Sequence, residues 1–149
     1  RVSKLRRSAV EAGQPGSAPG SRIVDYYNRM GSAHSSLGDS INSFAKALNL
    51  ANGSGDIDAA LSAVEKGLVD ANAAPGLDDK AEAFRQRLIG LLNQQKAAVD
   101  RYRQQGGSVN PEARVDARTI RGSYERFRAE YDPWLESYLE ENGYELKKE

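Results

Sequence analysis

The chain contains no cysteine, and only one histidine, one tryptophan and one methionine. The lack of cysteine excludes disulfides, zinc–thiolate sites, iron–sulfur clusters and a cysteine nucleophile together, and it fits an exported protein and a cytosolic one equally. No stretch approaches the roughly 18 consecutive apolar residues of a membrane-spanning helix. Net charge is absent too, because 21 basic residues cancel 21 acidic ones. A dedicated nucleic-acid binder usually carries a basic surplus to neutralise phosphates. Gly53-Ser54-Gly55 lacks the lysine and the spacing of a phosphate loop and reads as a turn.

What the chain has is helical rhythm. Five of its eleven aromatic residues, Tyr124, Phe127, Tyr131, Trp134 and Tyr138, follow one another at intervals of three, four, three and four. That spacing puts them on one stripe of an α-helix, with Ile120 one step ahead. Similar stripes recur upstream. Ile23, Tyr27, Met30, His34, Leu37, Ile41, Phe44 and Leu48 predict a helix over about 21–49, and Ile57, Leu61, Val64, Leu68 and Ala71 predict one over about 56–72. Ala81, Phe84, Leu88, Leu91, Gln95, Val99 and Tyr102 predict a third over about 79–105, with Asp79 and Glu82 as its capping box. The aromatic helix should run over about 111–142, from Asn110-Pro111-Glu112 to Asn142-Gly143.

No strand pattern competes with these stripes. At 149 residues, short connections between sequential amphipathic helices predict one all-α domain over 21–149, an up-down-up-down antiparallel four-helix bundle. Residues 1–20 form a separate expectation: a flexible basic arm and Gly/Pro/Ser linker, with Val2, Leu5, Ala9 and Val10 able to make a turn or two of helix. Arg1, Lys4, Arg6, Arg7 and Arg22 against Glu11 give residues 1–22 a local charge of +4. The second helix, at ~25 Å against ~40 Å for the others, should leave one side of the bundle partly uncovered. The chain opens on Arg1 without methionine or an apolar signal core, as expected of a processed product, which leans the localisation towards an extracytoplasmic or membrane-attached bacterial setting.

Candidate sites follow from departures in these patterns. His34 and Gln95 are polar residues on inner stripes, and a fold of this topology brings them near Tyr124 or Tyr131. Such a cluster reads first as a structural network fixing helix register. Its functional version is a ligand pocket at His34, Gln95 and Tyr131, or a pH-sensitive switch. A metal site is not expected: carboxylate-bridged bundles need Glu-x-x-His pairs, and the helical neighbours of His34 are Met30, Gly31, Leu37 and Gly38. One histidine and no nucleophile elbow leave the serines without activation, so no catalytic residue and no cofactor are expected.

Arg114, Arg121 and Arg128 lie seven apart beside the aromatic stripe, with Arg118 between them, while residues 131–149 carry six acids against Lys147 and Lys148. This order opposes the helix dipole, so it should serve pairing with acids such as Asp25, Asp39, Asp78 or Asp100, or contact with an acidic partner or a second copy. Pro133 should kink the helix beside Trp134. Tyr131, Trp134, Leu135, Tyr138 and Leu139 would then offer a surplus apolar surface flanked by the four arginines. The leading expectation is thus a non-enzymatic interaction module acting through protein–protein contacts, as part of a larger or membrane-attached assembly. The second is a small-ligand-binding or sensory domain, and the third an accessory nucleic-acid contact through the basic arm and the arginine line.

Overall fold

The structure, a computed structural model, describes residues 2–7, 18–49, 54–106 and 111–148. Four helices account for most of it: α1 (Ala18–Asn49), α2 (Ser54–Ala73), α3 (Asp79–Gln104) and α4 (Pro111–Glu141). They pack as a four-helix bundle in which α1 touches each of the other three, α2 lies against α3, and α3 against α4. No helix among the described residues is long and apolar enough to cross a membrane.

The helix ends follow local chemistry. Helix α1 begins three residues before the expected start, with Pro19 near its first position, where a missing N–H costs nothing. The cap of α3 is Asp78 rather than Asp79: its carboxylate accepts from the Ala81 N–H at 2.8 Å. Glu82 instead takes Arg85 and Gln86. Gly106 and Gly143, at φ of 80° and 85°, terminate α3 and α4 in the left-handed region that favours glycine. The expected caps Asn110 and Asp56, and most of the 13–20 linker, lie outside the described residues and side chains.

Two segments outside the predicted helices are strands. β1 (Val2–Arg7) pairs antiparallel with β2 (Tyr144–Lys148), with Leu5 opposite Leu146 and Lys4 opposite Lys147. Short basic strands of this kind carry almost no periodic signal, and the pairing joins chain ends too far apart in sequence for any turn motif to reveal. Tyr144, at the start of β2, is buried with the core. The expected helical turns at Val2 and Leu5 are therefore replaced by β1, while Ala9 and Val10 lie outside the described residues.

The core of α1 is wider than its predicted stripe. Ile23, Tyr27, Ile41 and Leu48 are buried, but the deepest line runs through Tyr26, Met30, Ala33, Leu37, Ser40, Phe44 and Ala47, each at most 1% exposed. Alanine and serine supply much of that line, and they contribute too little hydrophobicity to stand out in a sequence. What they supply is close approach. A Cβ on Gly67 of α2 would sit 2.7 Å from Leu92 Cδ2 and 3.2 Å from the Ala33 carbonyl oxygen. α1 and α2 thus meet almost backbone to backbone, with a side chain of α3 in the crevice.

Glycine positions separate packing from propensity. Gly67→Ala is expected to destabilise the bundle by about 1–3 kcal/mol through overpacking. At Gly31 a Cβ would meet nothing within 4 Å, so Gly31→Ala should stabilise it by roughly 1 kcal/mol through helix propensity. Urea unfolding of the two variants checks both signs.

Candidate functional site

On the flank of α1 that faces α4 the small residues have the opposite effect. Gly31, Ser35 and Gly38 recur at intervals of four and three, and their lack of bulk leaves a groove of about 930 Å³ between the two helices. Its α1 wall runs from Tyr27 to Asn42, about 22 Å at ~1.5 Å per residue. The α4 wall runs from Arg121 to Glu136. The opening was expected beside the short α2. It lies instead where α1 presents glycine and serine to its neighbour, because side-chain size governs how closely two long helices meet.

One ring crosses the groove. The Tyr124 hydroxyl donates to the His34 carbonyl oxygen at 3.0 Å. Gly38 makes room for it, since a Cβ there would lie 2.9 Å from that hydroxyl. The Arg128 guanidinium sits over the Tyr124 ring, 5.8 Å from its centroid, and 3.8 Å from the Asp132 carboxylate. Burial raises the Tyr124 phenol above its ordinary pKa, with the Arg128 charge opposing. Arg121 reaches Asn42 at 3.5 Å. His34 is half-buried in the groove wall, its ring edge-on to Tyr131 at 6.1 Å.

The lining is polar and mixed in charge. Asp39, Glu125, Asp132 and Glu136 line the groove together with Arg121 and Arg128, and Asn28, Ser32, Ser35 and Asn42 are among its neutral groups. Burial raises the Asp132 carboxyl above the usual carboxylate range; Arg128 opposes the shift and Glu136 adds to it. At the α2 border, Ser32 donates to Asp70 at 2.7 Å, and Lys66 and Arg29 lie at 3.1 and 3.6 Å from the same carboxylate. Burial would raise the Asp70 carboxyl, but these hydrogen bonds and charges outweigh it and hold it below the usual range.

The expected His34–Gln95–Tyr cluster divides in two. His34 lies beside Tyr124 and Tyr131, whereas Gln95 is fully buried one layer away and donates to Ser40 Oγ at 3.0 Å. Ser40 in turn donates to the Ala60 carbonyl at 2.7 Å, so one polar chain links α3, α1 and α2. Gln95 Oε1 has no hydrogen-bond partner among the described residues. The Tyr131 hydroxyl makes no bond of good geometry there either, although the Tyr26 hydroxyl lies beside it. Tyr26 itself donates to the Ala81 carbonyl at 2.8 Å. Burial drives both phenols, Tyr26 and Tyr131, well above the ordinary value near 10.

The expected apolar surface on α4 is largely core. Tyr131, Leu135 and Leu139 are buried. Trp134 and Tyr138 are half-buried and stacked at 4.9 Å, with the Trp134 ring 5.0 Å from Phe84 and 6.4 Å from Tyr26. Rings from α3 and α1 thus take up the surplus. The helix continues through Pro133, an exposed position, as is Ala129, whose carbonyl loses its partner on the solvent side.

The arginine line does not pair with the expected acids. Arg114 donates to the Leu48 carbonyl at the end of α1, Arg121 to Asn42, and Arg128 lies near Asp132, while Arg118 is exposed. Asp25 and Asp100 pair instead with Arg29 and Lys96. The ion pairs joining α3 to α4 among the described residues are Arg87–Glu130 and Arg101–Asp116. Among the described residues no three His, Cys, Asp or Glu side chains gather as a metal site would require.

No family model matches the chain, and no curated protein or solved structure matches it.

Ser40→Ala strands the Gln95 amide in the core and is expected to cost about 1–3 kcal/mol, whereas the double change Ser40→Ala with Gln95→Leu should recover much of that loss. Chemical denaturation of the single and double variants measures the difference. A second test uses the buried phenols. Their pKa values are raised in the fold, so their contribution to stability is complete below about pH 10 and is lost as the pH rises towards the folded values. Phenolate absorbance from Tyr26 and Tyr131 should therefore appear only together with loss of the helical circular dichroism. Full titration of all phenols with the helices intact would contradict it.

Proposed function

We propose that the chain is a non-enzymatic interaction module that receives a segment of a partner protein in the α1–α4 groove. The observation that carries this reading is the groove itself: long, open along two helices and lined by polar groups. Ligand pockets of comparable volume enclose their occupant and are mainly apolar. A cleft about 22 Å long matches about fifteen residues of helix instead, and helices recognise helices by lying in grooves of this kind. The α4 arginines enter the reading through Arg121 and Arg128, which line the groove. The half-buried stack of Trp134 and Tyr138 offers little independent surface. A small polar ligand is the second reading, favoured by the exposed parts of His34 and Tyr124 in the groove wall. Nucleic-acid contact through the N-terminal strand and the arginine line is the third.

The absence of native cysteine makes a site-specific test direct. A photo-cross-linker on Ser35→Cys, in the groove, should capture a discrete protein from the native cell. The same label on Val69→Cys, on the exposed side of α2, should not. Equal capture from both positions, or none from Ser35→Cys, would count against the reading.

A further inference from the structure

One face of α4 carries a line of charge whose order the bundle does not explain. Arg114, Arg118, Arg121, Glu125, Arg128, Asp132, Glu136 and Glu140 follow one another at intervals of three or four residues, so they share one stripe of the helix. All are exposed except Glu136, which is half-buried. Arginines towards the N-terminus and acids towards the C-terminus oppose the helix dipole. Neighbouring helices do not compensate for that cost. Arg114, Arg118, Arg121, Glu125 and Glu140 form no ion pair among the described residues. Arg114 and Arg121 reach neutral groups, the Leu48 carbonyl and Asn42.

The order has a symmetry of its own. Along the stripe the signs run three positive, one negative, one positive and three negative, and reading it backwards inverts every sign. Two copies of α4 laid antiparallel about the level of Phe127 set Arg114 opposite Glu140 and Arg118 opposite Glu136. They also bring Arg121 within one residue of Asp132, and Glu125 within one residue of Arg128. A twofold axis repeats each pair, as an isologous interface requires. Parallel copies would set every charge against its own kind. The members from Arg121 to Glu136 line the groove, and Phe127 falls within that span. Asp132 and Glu136 are already engaged, but a carboxylate accepts from more than one donor. Complementary order, and not an open seat, identifies the occupant. Resting on the reading of the groove as a protein-docking site, we propose that its occupant is α4 of a second copy of this chain, in a twofold antiparallel dimer aligned by reciprocal charge.

Sedimentation velocity tests this directly. The unmodified chain should be dimeric at low salt and should dissociate as salt shortens the Debye length to about 3 Å at 1 M. Arg114→Glu with Arg118→Glu, and separately Glu136→Lys with Glu140→Lys, should each weaken self-association roughly tenfold or more, because like charges then meet. Mixed in equal amounts, the two double variants should form a heterodimer, since each reversed half meets its complement. If the acidic-half variant loses its helical circular dichroism, Glu140→Lys mixed with Arg114→Glu carries the same comparison. A chain that is monomeric at low salt, or that grows past the dimer with concentration, overturns the proposal, as does a mixture that stays monomeric. If the chain is monomeric while the label on Ser35→Cys captures a different protein, the groove reading stands without the dimer. If that label captures nothing either, both fall.

Discussion

The close contact of α1 with α2 across Gly67 is the constraint on which the other packing decisions depend. With no side chain at 67, the α2 backbone comes close enough for Leu92 of α3 to fill the crevice and for Ala33 and Ser36 to line it. This turns the Ala33–Ser40–Ala47 line of α1 into the deepest part of the bundle. It also places Ser40 where it can bridge Gln95 and the Ala60 carbonyl. Once that side of α1 is committed to α2 and α3, its other flank falls to α4. That flank carries Gly31, Ser35 and Gly38, and Tyr124 of α4 crosses to it. Small residues therefore close one seam of the bundle and open the other. The difference is that a complementary glycine and a deep apolar line face the first, whereas charged side chains face the second.

The four helices were legible because burial of leucine, isoleucine and aromatic residues leaves a strong three-and-four rhythm. Every predicted inner position of α3 is buried, and the α4 stripe is core through Phe127 and Tyr131. What sequence periodicity could not supply was rotation about the helix axis. In α1 the predicted stripe is real but off-centre by about one position, because the true centre is marked by alanine and serine. In α4 the buried line passes from Tyr131 to Leu135 and Leu139, leaving Trp134 and Tyr138 on its edge. A helix of 3.6 residues per turn drifts against a strict three-and-four alternation, so a long stripe must leave the seam somewhere.

The same limit explains the candidate site. His34 was conspicuous as the single histidine and Gln95 as a polar residue on an apolar stripe, yet the two lie in different layers. Placing them together required the off-centre stripe to be the centre of α1. The terminal ribbon was illegible for another reason: strand pairing between residues 2–7 and 144–148 is a contact of maximal sequence separation, and neither partner carries alternation strong enough to declare a strand alone.

A groove persists in a bundle only if closing it would cost more than leaving it hydrated. Bringing α4 closer to α1 would press Tyr124 into the α1 backbone at Gly38, where its hydroxyl already stands 2.9 Å from the position of a Cβ. It would also strip water from Asp132, whose carboxyl is already disfavoured in its ionised form by burial and by Glu136. Tyr124 thus acts as a prop and the carboxylates as a desolvation barrier. The features that keep the two helices apart are the ones that line the groove: an aromatic ring, a space beside glycine and serine, and charged side chains on the α4 wall. A site of this type leaves no motif in a sequence, because it is made where packing stops.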